Sequence, residues 1–165
     1  MRSGVRLGID VGKARVGVSR SDPHGMLATP VETVPRDLGG DADLARIAEI
    51  VAELDAFEVI VGLPLNLRGE RTPSTDDAAA FAGRLAARLG GDAGAVRLVD
   101  ERLSTVSAQG QLRQAGKKTK QSRSIIDQAA AVVILQHALD LERARGEAPG
   151  QAAALPEPPE EETRP

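Results

Sequence analysis

The amino-acid sequence predicts one α/β domain, a mixed sheet of five strands flanked by helices, and three observations carry that prediction. Apolar residues alternate with small or polar ones from Val5 to Val11 and again from Arg15 to Ser19, the period of half-buried strands. From Leu44 the spacing changes to the three-and-four pattern of helices. Short apolar runs then take turns with helical stretches, an order that builds crossover connections onto a sheet.

The first two strands read as a hairpin closed by Gly12, Lys13 and Ala14. Leu7, Ile9 and Val11 share one face of the first strand, so Asp10 points to the other, between Gly8 and Gly12. A third strand is expected from Met26 to Val34, at an edge or a bulge because it contains Pro30. Leu44, Ile47, Val51 and Leu54 form a helical stripe after Asp41 and Asp43. Val59 to Gly62 is an apolar strand of the doubly buried kind. A Pro-, Asn-, Gly- and Arg-rich loop, 63–72, leads to a helix opened by Thr72-Pro73 or Ser74 and striped by Ala78, Phe81, Leu85 and Leu89. The run AVRLVDE is the next strand, and Ser104 or Thr105 starts a short helix ending near Gly116. A basic loop follows, and Ser122 or Ser124 opens a long apolar helix through Leu141. The folded domain is therefore expected to span 1–146, with 147–165 a disordered tail rich in Ala, Pro and Glu.

No apolar run approaches the roughly 20 residues of a membrane span, and Met1 leads straight into strand-like sequence, which predicts a cytoplasmic protein without membrane association. The absence of cysteine excludes disulfides, thiolate nucleophiles and Cys-based metal sites. His24 and His137 have no metal-ligand spacing, so a metal would be held by oxygen, which favours Mg2+ or Mn2+. The net charge of -3 is segregated: Glu147, Glu157, Glu160, Glu161 and Glu162 face only Arg164 in the tail, leaving the rest close to neutral. Within that remainder, KKTKQSR concentrates Lys117, Lys118, Lys120 and Arg123, either a solvated loop or a phosphate clamp. With no Trp or Tyr and only two Phe, nucleic acid would be bound through its backbone rather than by stacking.

Three carboxylates stand out. Asp10 lies midway along an apolar strand, Glu101 follows Asp100 at a strand end, and Asp127 shares the apolar stripe of Ala130, Ala131, Ile134, Ala138 and Leu141. Each has an ordinary explanation too: a turn acceptor beside Gly12, strand-end chemistry, and a capping-box acid after Ser124. Together they can meet at one end of the sheet, where they would repel one another unless divalent cations sat among them. Such a cluster suits two-metal hydrolysis of a phosphodiester. Arg15, Gly17 and Ser19 share a face of the second strand, with Gly17 expected to admit a nucleic-acid backbone. Arg102 joins Arg15 and the basic loop as an expected phosphate contact.

GIDVGKARVGVS, VGLPLNLRGERTPST, VDERLSTVSA and SIIDQAAAVVILQ, in that order over residues 4 to 142, resemble the YqgF/RuvX family of bacterial proteins, described as pre-16S rRNA nucleases and formerly as Holliday junction resolvases. The resemblance implies a ribonuclease H-like fold, the acidic positions Asp10, Glu101 and Asp127, and maturation of the 5' end of 16S ribosomal RNA, with pre-rRNA or ribosomal particles as partners. Branched DNA is the alternative substrate. A resolvase would act as a homodimer with two active sites, whereas a monomer fits the RNA role. Related nucleases often carry four acids, and Asp100 is the candidate for the fourth here.

Two other readings compete. The hairpin also resembles the start of actin-like and sugar-kinase ATPases, but 165 residues leave no room for their second lobe, and GIDVGKA is a residue short of a P-loop. A non-catalytic nucleic-acid-binding scaffold is the third reading, and the retained carboxylates count against it.

Overall fold

A computed structural model of the chain describes residues 1–91, 95–101 and 120–156, without the side chains of 120–124. Its centre is β1 (Val5–Val11), which pairs antiparallel with β2 (Arg15–Ser21) across a turn closed by Gly12 N–H donating to the Arg15 carbonyl at 2.9 Å. β3 (Ala28–Pro35) pairs with β2 and forms one edge. The register slips between Val18, opposite Glu32, and Ser19, opposite Pro30. Proline therefore lies at an edge and beside an irregularity, where its missing N–H costs little.

Helix α1 (Ala42–Leu54) ends at Asp55, whose φ of 52° is left-handed, and the chain turns at once into β4 (Ala56–Leu63), parallel to β1. Helix α2 (Pro73–Arg88) starts as the sequence predicts: Thr72 and Thr75 form a reciprocal capping box and Pro73 occupies the first turn. β5 (Val96–Asp100) lies parallel to β4, and α3 (Lys120–Arg145) returns across the sheet.

The sheet has six strands, ordered β3-β2-β1-β4-β5-β6, one more than expected. The sixth, β6 (Gln151–Ala152), comes from the segment expected to be a disordered tail, and it pairs antiparallel with Leu98 and Arg97. Composition misled here because an edge needs only backbone groups to be covered. Arg97 Nε and Nη2 donate to the Pro149 and Gly150 carbonyls at 2.6 and 2.9 Å, and Ala153 is buried. Residues 157–165 lie outside the described residues, as does the helix expected from Ser104 or Thr105 to Gly116.

Strand alternation divides the interior. Leu7, Ile9, Val16, Val18, Val59, Val61, Val96 and Leu98 pack with Ile47, Ile50, Phe81 and Leu85 of α1 and α2. On the opposite face Ile60 and Val99 meet Ile134, Leu135, Ala138 and Leu139 of α3. That second face also holds an ion network in which Arg6, Glu58 and Glu142 are buried. Arg2 binds Glu58 and Glu142 at 2.9 and 2.8 Å, Arg6 reaches Glu142 at 3.3 Å, and both guanidiniums lie over the Phe57 ring.

Candidate metal and nucleic-acid site

Alternation puts Arg6, Gly8 and Asp10 of β1 on the α3 face, along with Arg15, Gly17 and Ser19 of β2. Asp10 and Gly17 are direct cross-strand partners. Over them lies α3, held very close: a Cβ on Gly17 would fall on the Asp127 carbonyl, and one on Gly8 would sit 2.8 Å from the Ala131 carbonyl. The Ser19 hydroxyl donates to that Ala131 carbonyl at 2.8 Å, and Gln128 Nε2 donates to Thr33 Oγ1 at 3.0 Å. Gly17 therefore admits a helix, not the nucleic-acid backbone expected there.

This contact sets Asp127 beside Asp10. Burial of Asp10, followed by the negative charge of Asp127, pushes the Asp10 carboxyl up to about 6. Asp127 lies half-buried at the head of the stripe that Ala130, Ala131, Ile134 and Ala138 bury, on the side the helical period predicts. It is not a capping residue, because α3 begins at Lys120, earlier than Ser122 or Ser124. Its Oδ2 instead accepts 2.7 Å from Nε of Arg15. Arg15, expected to meet phosphate, is thus engaged with an acid of the site.

Glu101 is buried on the same face. A Cβ on Gly62 would collide with its Oε2 and lie 2.6 Å from Ile134 Cδ1, so the bare Gly62 backbone makes the space for that carboxylate. The parallel register pairs Ile9 with Val61 and Gly62 with Val99, so Asp10 and Glu101 flank Gly62 from either side at the C-terminal end of the sheet. Two inter-strand spacings, about 10 Å in all, separate the outer backbones, and Glu101 leans across the nearer one. Asp100 shares its parity with Leu98, which faces α1 and α2, and is exposed; it does not join as a fourth ligand.

Among the described residues no three His, Cys, Asp or Glu side chains are drawn together as a ready metal cage. Asp10 and Asp127 are adjacent, Glu101 stands across Gly62, and Arg15 holds Asp127. An oxygen-only donor set with one buried, charge-strained carboxylate fits Mg2+ or Mn2+. Arg102, Lys117 and Lys118 lie outside the described residues, as do the side chains of Lys120 and Arg123, whose backbones occupy the first turns of α3. The Arg15 pair went unforeseen, although Arg15 and Asp10 both alternate to the α3 face; the Arg2, Arg6, Glu58 and Glu142 network is likewise set by residues remote in sequence.

Residues 4–141 match the family described as "RuvX: Holliday junction resolvase". The chain belongs to the RuvX family. Its relatives named "Putative pre-16S rRNA nuclease" include one from Clavibacter sepedonicus, 62% identical with 91% of each chain covered. Another, from Leifsonia xyli subsp. xyli, is 63% identical over 91% of this chain and 94% of its own. Among solved structures, T. thermophilus RuvC in complex with a Holliday junction substrate superimposes with a TM-score of 0.58 at 17% identity, covering 88% of this chain and 98% of that one. A second Thermus thermophilus RuvC structure gives 0.51 at 18% identity, with the same coverage. The RuvX chain has the ribonuclease H-like fold that its motifs led one to expect, with a sixth strand added. Among the described residues no helix is long and apolar enough to cross a membrane.

Proposed function

We propose that this RuvX protein is a cytoplasmic nuclease that hydrolyses phosphodiester bonds with Mg2+ or Mn2+ and acts in 5'-end maturation of pre-16S rRNA, on free precursor or on ribosomal particles. The observation that carries the reading is the enforced proximity of Asp10 and Asp127: Gly17 lets α3 descend until two carboxylates share a partly dry pocket, a costly arrangement without a cation. The names of the relatives supply the substrate.

Asp10, Glu101 and Asp127 would hold the divalent ions, which when bound supply positive charge to the reacting phosphate and sharpen the acidity of an attacking water. The chain does the rest. Gly62, bare of a side chain, lets the Glu101 carboxylate lie over its backbone toward Asp10, and Ile134 packs beside it with apolar surface. Arg102, Lys117, Lys118, Lys120 and Arg123 are assigned to the flanking phosphates, positioning the strand without reading its bases.

Purified protein with Mn2+ should cleave precursor 16S rRNA, and the Asp10→Asn variant should bind the same RNA without cutting it. Equal cleavage by the variant rejects the ligand assignment. The family's description favours a second reading, resolution of four-way DNA junctions. It needs two active sites, so a homodimer that cuts a junction in paired positions would establish it, whereas a monomer that cuts RNA alone rejects it.

A further inference from the structure

We infer that Arg15 is a placeholder cation: it neutralises Asp127 until a divalent ion arrives, and that arrival releases its guanidinium to a substrate phosphate. The inference rests on reading Asp10, Glu101 and Asp127 as ligands of the ion.

Arg15 is anchored at its backbone, and its guanidinium is held by one acid at a partly exposed position. Its carbonyl accepts from Gly12 N–H at 2.9 Å, and the preceding Ala14 carbonyl accepts from Arg36 N–H at 2.9 Å. From this fixed start its side chain reaches along the α3 face to Asp127, where Nε donates to Oδ2. The pair opens to water at its arginine end, with side-chain exposures of 38% for Arg15 and 17% for Asp127. Water reaches the guanidinium side of the pair, which screens it there and gives the arginine a route out.

The pair is also redundant as a brace. Strand β2 and helix α3 are already locked by the approach of Gly17 to the Asp127 carbonyl and by the Ser19–Ala131 hydrogen bond. What the guanidinium does supply is charge, beside two acids that repel each other. Arginine cannot leave by losing a proton, so it leaves only when a stronger cation takes its acceptor. A divalent ion shared by Asp10 and Asp127 is that cation. Once displaced, the long stem swings about a fixed Cα, and the planar fork suits a phosphate better than a lone carboxylate oxygen.

Mn2+ affinity, read from the electron paramagnetic resonance of the free ion without any substrate, tests the inference directly. Arg15→Gln should bind Mn2+ about three- to tenfold more tightly than the wild type, since a competing cation has gone. Arg15→Lys, which keeps the charge but loses the fork, should fall between them and guards against a misfolded Gln variant. In parallel, binding of an uncleavable, phosphate-modified RNA should gain about one unit of salt slope on Mn2+ addition in the wild type but not in Arg15→Gln. Equal Mn2+ affinity in all three proteins overturns the placeholder role and leaves the ligand assignment standing. Failure of both wild type and variants to bind Mn2+ overturns the two together. A wild-type salt slope that Mn2+ does not change overturns the release to phosphate.

Discussion

Gly17 lies directly beneath Asp127, strand backbone against helix backbone, with no room for a side chain between them. The contact fixes the depth of α3 and hence the separation of Asp127 from Asp10, the cross-strand partner of Gly17. Gly17→Ala should therefore lift the helix, cost about 1–3 kcal/mol of stability and lower Mn2+ affinity as well. Chemical denaturation and Mn2+ titration on the same protein check both effects; loss of stability with unchanged metal affinity would mean that helix depth does not set the site.

Asp10→Asn should separate function from stability. Cleavage should drop by at least about a hundredfold, while the metal-free protein gains thermal stability, by a few degrees, because a buried charge next to Asp127 is removed. Differential scanning calorimetry with chelator present reads the second effect. A lower Tm in the variant contradicts the account of Asp10 as a strained carboxylate.

Acid should attack the opposite end of α3. Arg2, hydrogen-bonded to it, holds the Glu142 carboxyl down to about 2, against an ordinary value of 4.5. The folded state thus prefers ionised Glu142, and this contribution, at most about 3 kcal/mol, is whole above pH 4.5 and fades as pH falls toward 2. Urea melts between those limits should show the decline, and Glu142→Gln should flatten it while destabilising the protein near neutrality by leaving Arg6 buried without its carboxylate partner.

Deleting residues 147–165 should uncover the outer edge of β5 and take the carbonyl partners from Arg97. A loss of about 1–3 kcal/mol and concentration-dependent self-association, measured by denaturation and analytical ultracentrifugation, are the expected outcomes. A truncated protein as stable and monodisperse as the full chain would show that β6 contributes nothing.

The sequence carried the fold where a local period expresses it: the Val5–Ser21 hairpin, the Leu44 to Leu54 stripe and the Thr72-Pro73 helix start all depend on near neighbours. β6 was invisible because Gln151 and Ala152 pair through backbone alone. At the site, alternation and the helical period bring Asp10 and Asp127 to one pocket, but they do not reveal the role of Gly17 or the grip of Arg15, since both depend on how closely a helix 110 or so residues later lands on β2. The acid of the DER segment shows the same division. Its parity gives the face, and only Gly62 tells why a glutamate fits there.

The ties from Arg2 and Arg6 to Glu142 join positions 140 and 136 residues apart. β1 is a central strand flanked by β2 and β4, and α3 lies over it. Because synthesis runs from Arg2 toward Glu142, Arg2 and Arg6 lack this shared counter-ion until α3 has been made. A chain that stops short of Glu142 keeps Glu58 beside Arg2 but leaves buried Arg6 without its carboxylate, so the strand and the helix depend on each other for a fully paired interior.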